Sequence, residues 1–174
     1  MHLSTLVETA VDLRRRAGQV EPAFSTRQII DACFPDALVT GRELPPGIDE
    51  VVSISPDGPV IIYRRGLPTP SQRFVIAHAL AHVMFDRVRG GCRPGSVGHK
   101  SREERADRFA AELLIPLELL GEYVGRWPSD DDTEHQKYLD QVDEIASHFQ
   151  VPTGLVDKRI RELRAIRNRI AHSS

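Results

Sequence analysis

The sequence predicts an α+β fold, with a small antiparallel sheet in the first half of the chain and a mainly helical C-terminal part. Three observations carry this. Two short β-branched runs, Val51 to Ile54 and Val60 to Tyr63, flank Pro56-Asp57-Gly58-Pro59, the residue types of a hairpin turn. Elsewhere, apolar residues recur at the three-to-four-residue spacing of amphipathic helices. And two successive helical stretches carry histidines and carboxylates on the faces that should point inward.

The elements follow in order. Leu6, Val7, Ala10, Val11 and Leu13 define a first helix from Ser4 to Ala17, with Gly18 as its stop. Ser25 or Thr26 can cap a short second helix that Pro35 ends. Ala37 to Val39 is a weak strand, and Leu44-Pro45-Pro46-Gly47 is a turn before the hairpin. Thr69, as N-cap, opens a helix whose inward stripe is Phe74, Ala77, His78, Ala81, His82 and Phe85. Arg87 to Lys100 is polar, Gly-rich and aperiodic, hence a loop. Ser101 and Glu104 have the spacing of a capping box. Glu103, Ala106, Asp107, Ala110 and Leu114 then share one face, with Glu104, Arg108 and Glu112 on the solvent face. After Pro116 come a short helix to Val124, an acidic linker from Pro128 to Thr133, and two helices, Glu134 to Phe149 and Thr153 to Ile166.

A chain of 174 residues suits one domain with a real core. The expected division is 1–124 for the N-terminal helices, sheet and histidine helices, and 125–174 for a helical part packed on them. The formal net charge of −2 gives no bias toward nucleic acid or membrane, and two cysteines, Cys33 and Cys92, make no disulfide framework. The amphipathic N-terminus is not a signal peptide, and no apolar run approaches the ~20 residues that span a bilayer. The expected setting is the cytoplasm.

The chemistry lies in Arg73 to Asp86, RFVIAHALAHVMFD. His78 and His82 are four apart, on one helical face, close enough to bind one metal ion. Zinc peptidases use this spacing as H-E-x-x-H, with Glu as general base; here Ala79 stands in its place. Catalytic zinc takes three protein ligands and an open position, so a third ligand is needed. Glu103 fits, on the inward face of the next helix, and Asp107 one turn on can accept from the second ring nitrogen of a ligating histidine. Glu104 competes, but its capping role and face argue against it. His99 can bind metal or contact substrate, or be a surface loop residue; Cys92 can block the open position or be a free loop thiol.

These residues resemble the ImmA/IrrE family of bacterial and phage metallopeptidases. The resemblance rests on Leu44-Pro45-Pro46-Gly47-Ile48-Asp49, Val60-Ile61-Ile62-Tyr63, RFVIAHALAH and above all EERADRFAAELLIP from Glu103 to Pro116. It implies a zincin-like, minimal thermolysin-like fold of gluzincin type, with zinc held by His78, His82 and Glu103. The implied substrate is a helix-turn-helix repressor encoded nearby, whose cleavage derepresses a mobile element or stress regulon. The chain departs from the pattern at Ala79, so the expected form is a metal-binding peptidase that lacks its base, an engineered inactive variant. The alternatives are a natural pseudopeptidase that binds its partner without cutting, and a DNA-binding regulator. The latter rests on Glu144 to Pro152 and the basic helix with Lys158, Arg159, Arg161 and Arg164, though direct DNA binding is the weaker reading.

Overall fold

The structure, a computed structural model, describes residues 3–19, 21, 23–86, 98–124 and 132–172. Its elements run α1 (Leu3–Arg16), α2 (Thr26–Cys33), β1 (Leu38–Arg42), β2 (Glu50–Ser55), β3 (Gly58–Arg64), α3 (Thr69–Phe85), α4 (His99–Leu114), α5 (Leu117–Tyr123), α6 (Asp132–Phe149) and α7 (Thr153–Ala171). The α+β expectation holds. No helix among the described residues is long and apolar enough to cross a membrane.

The sheet is mixed rather than wholly antiparallel. Its order is β1-β3-β2, with β2 antiparallel to β3 as the hairpin signal required, and β1 parallel to β3. The reason lies in β3, the most apolar strand, whose Ile61 is fully buried. It takes the central position, so β1 must pair with its free edge, and the 43–49 connection carries the chain past the end of β3 to β2. Arg64, at the end of β3, fastens that connection. Its guanidinium donates to the carbonyls of Leu44 (3.2 Å), Pro45 (2.8 Å) and Ile48 (2.6 Å) and to Asp49 Oδ1 (2.8 Å). Gly58 makes the hairpin turn possible: its φ is +121°, and a Cβ there would lie 2.3 Å from the Asp36 carbonyl oxygen.

Helix α3 packs on β2 and β3 with one side and on α4 with the other. The core runs from α1 (Leu6, Leu13) through α3 (Leu80) and α4 (Phe109, Leu113) to α6 and α7 (Phe149, Ile160). Phe85 meets Phe109 edge-on, with ring centroids 5.3 Å apart.

Several boundaries differ from expectation, each for a local reason. Helix α3 takes Pro68 as its N-cap, which puts Thr69 inside the helix and Pro70 in its first turn, where a missing N–H costs nothing. Helix α4 begins at His99 after a left-handed Gly98, so Ser101 is already helical and the Ser101–Glu104 box does not form. His99 is therefore a helix residue rather than a loop one. Glu112 is buried rather than solvent-facing, because Arg159 of α7 reaches it at 2.8 Å. The expected 87–100 loop, with Cys92, falls almost wholly outside the described residues, as does most of the 128–133 linker.

Candidate metal centre

The first two residues of the site come from one face of α3. His78 and His82 bring their Nε2 atoms to 3.0 Å from each other. Each ring is held from behind by a carboxylate. His78 Nδ1 donates to Asp107 Oδ1 at 3.0 Å, and His82 Nδ1 donates to Asp86 Oδ2 at 2.6 Å. A carboxylate accepts, so each Nδ1 carries the proton and each Nε2 presents a lone pair. Two ring nitrogens 3.0 Å apart need a proton or a metal ion between them. That donor set fits a metal ion.

The remaining donors gather at the same point. Glu103 of α4 places Oε2 at 3.2 Å from His78 Nε2 and Oε1 at 3.6 Å from His82 Nε2. His99, one turn before it, lies with Nδ1 at 3.3 Å from Glu103 Oε1. Glu104 points away and pairs with Lys100 at 3.9 Å, both side chains exposed. Between the histidines, Ala79 is fully buried, and its methyl group can neither accept nor donate a proton.

Sequence reasoning missed two carboxylates. Asp86 sits four residues past His82, a spacing that marks it as a partner, and its nearly buried carboxylate also accepts from Arg105 of α4. Glu50, the first residue of β2, brings Oε1 to 3.8 Å from His78 Nε2, and its ligand atom, with those of His78 and His82, lies within a 4.8 Å group that could hold a metal. No sequence signal marks Glu50, since a strand residue reaches this point only through sheet packing.

The electrostatics are those of a crowded acidic pocket. Burial, then the neighbouring carboxylates, pushes the Glu50 carboxyl up to about 7, although His78 works against this. Burial opposes the charged form of His78. The Asp107 hydrogen bond and the Glu50, Asp107 and Glu103 carboxylates outweigh it and raise the ring above its ordinary value. The same hydrogen bond holds Asp107 below the usual carboxylate range, and Lys158 Nζ at 3.9 Å helps.

The basic helix α7 is partly spent inside the molecule. Arg159 is buried and donates through Nε and Nη2 to the Ile115 carbonyl and through Nη1 to Glu162. Arg161 pairs with Asp157.

Comparison with known proteins then adds a family and a fold. The family model described as the IrrE N-terminal-like domain, a peptidase family, matches residues 36–161, well over half of the chain. Among solved structures, a Mycobacterium tuberculosis transcriptional regulator superposes with a TM-score of 0.56 at 17% identity, over 88% of this chain. The chain spans 45% of that regulator's length, and at that identity the likeness is one of fold. Comparison with curated proteins gives no match.

Proposed function

The chain belongs to the IrrE N-terminal-like peptidase family, and from that premise we propose that it is a metal-centred peptidase domain that engages a protein substrate and cleaves it slowly or not at all. The observation that carries this reading is the meeting of the His78 and His82 Nε2 atoms at 3.0 Å, beside Glu103, with Ala79 between the two histidines in the chain. His78, His82 and Glu103 would hold the ion. Two imidazoles and a carboxylate suit zinc. When bound, zinc supplies Lewis-acid polarisation of a carbonyl and activation of water.

What the chain's own residues contribute follows from their positions. Asp107 and Asp86 fix the ring tautomers and keep both Nε2 atoms on target. Glu103 adds charge and ties α4 to α3. At position 79 the family pattern has a Glu that takes and returns a proton, and Ala79 does neither. That assistance is worth typically ~10²–10⁴ in rate. Alanine is also the best helix former and leaves no stranded charge, so the fold and the ligands survive its presence.

The family resemblance supports a helix-turn-helix repressor encoded beside the gene as the substrate. The test is to mix that repressor with the zinc-loaded chain and with Ala79→Glu. The unaltered chain should form a complex and leave the repressor intact, whereas Ala79→Glu should cleave it at least ~10²-fold faster, and a chelator should abolish that cleavage. Cleavage by the unaltered chain at the rate of Ala79→Glu, or cleavage indifferent to chelation, would remove the reading.

A further inference from the structure

Three ligands complete the site as the family resemblance describes it, and Glu50 is left over. We infer that Glu50 is a fourth metal ligand, so that His78, His82, Glu103 and Glu50 enclose the ion and leave it no open position. The inference rests on the reading of His78, His82 and Glu103 as ligands.

The distances have the right size. Ligand atoms at about 2.0–2.1 Å from a tetrahedral zinc stand roughly 3.3–3.4 Å from one another. Around His78 Nε2, the His82, Glu103 and Glu50 atoms lie at 3.0, 3.2 and 3.8 Å. It is Glu50, not Glu103, that forms with both imidazoles the group whose ligand atoms all lie within 4.8 Å of one another, and Glu103 reaches the same His78 Nε2 at 3.2 Å.

Charge gives a second argument. The Glu50 side chain is only 18% exposed. A carboxylate withdrawn from water is costly without a cation. Among the described residues Glu50 pairs with His78 alone, while Asp49, Glu103 and Asp107 add negative charge nearby. Two carboxylates and two neutral imidazoles balance one divalent ion.

The backbone gives a third. Glu50 is not on a free loop: it opens β2 in register with Tyr63 of β3, and its neighbour Asp49 is clamped by Arg64, whose backbone N–H also donates to the Asp49 carbonyl at 2.8 Å. The fold thus aims Glu50 at the histidines from the sheet side, opposite α4.

Structural zinc sites are closed, and catalytic ones keep a position open. Ala79 and Glu50 therefore act in the same direction: one removes the proton acceptor, and the other holds the fourth position until the binding energy of a protein substrate displaces it. The ion in this chain staples β2 to α3 and α4.

Cobalt(II) tests this directly, because its visible absorption is intense when four-coordinate and weak when the coordination number rises. The metal-free chain is titrated with cobalt(II), and azide is then added as a small ligand that can enter only an open position. The unaltered chain should give the intense spectrum and ignore azide. Glu50→Gln, its fold checked by circular dichroism, should bind cobalt at least about tenfold more weakly and shift its spectrum with azide. An azide response in the unaltered chain, or a Glu50→Gln variant with unaltered affinity and spectrum, overturns the assignment; the first outcome needs no variant to fold. His82→Ala separates the two readings. It should abolish the cobalt spectrum whatever Glu50 does, and if it does not, the three-ligand site itself is wrong and the Glu50 assignment falls with it.

Discussion

At the scale of single residues, the site works by denying each polar atom any alternative use. Nδ1 of each histidine is consumed by an aspartate, so only Nε2 is left to face the centre. Asp107→Asn should weaken metal binding about 10–100-fold while leaving stoichiometry unchanged, which metal titration would read. The acidic crowding also sets a pH dependence of the metal-free chain. The folded Glu50 carboxyl sits at about 7 against an ordinary 4.5, so between those values the folded state holds more protons than the unfolded one. Stability from this group is thus fully present below the ordinary value and is lost as pH rises through about 7. The raised His78 contributes in the same direction. Glu50→Gln should flatten the loss, by at most about 3 kcal/mol, in denaturant melts of chelated protein at pH 5 and 8.

At the scale of elements, two arginines hold the parts in place. Arg64 gathers the 44–49 connection and so delivers Glu50; Arg159 joins α7 to the end of α4 through Ile115 and Glu112. Their losses should differ in kind. Arg64→Ala removes hydrogen bonds at a half-exposed surface, costing about 1–3 kcal/mol, and should lower metal affinity because Glu50 is no longer aimed. Arg159→Ala strands the buried Glu112 carboxylate and should cost about 3–5 kcal/mol with the metal ligands untouched. Chemical denaturation paired with metal titration distinguishes the two. The burial of Arg159 also bears on α7 as a nucleic-acid-reading helix, since one of its basic side chains faces the core.

At the scale of the whole molecule, the proposed ligands come from separate parts of the chain: Glu50 from the sheet, His78 and His82 from α3, and Glu103 from α4. An ion bound there would tie sheet to helices and exist only in the folded state. Zinc at 100 times its dissociation constant should then stabilise the fold by about 2.7 kcal/mol, a rise in Tm of roughly 5–10 °C for a chain of this size. Thermal melts with zinc and with chelator would show it, and His82→Ala should show no such shift.

Much of this was legible in the amino-acid order because it is local. The His78–His82 pair, Asp107 four residues after Glu103 and the Pro56–Pro59 turn all depend on spacings within one element or one turn, where helix and hairpin geometry decide which side chains meet. The family pattern from Glu103 to Pro116 is likewise one continuous helix and its end. Tertiary structure decided the rest. The parallel placement of β1 followed from β3 taking the central position, which no run of β1 residues encodes. Glu112 looked solvent-facing by its place on the wheel and became buried because α7 arrived with Arg159. Glu50 reads in sequence as one more acidic residue after a turn. Only the pairing of β2 with β3, and the packing of α3 on both, carry its carboxylate to the histidines, because proximity across elements is set by packing rather than by position in the chain.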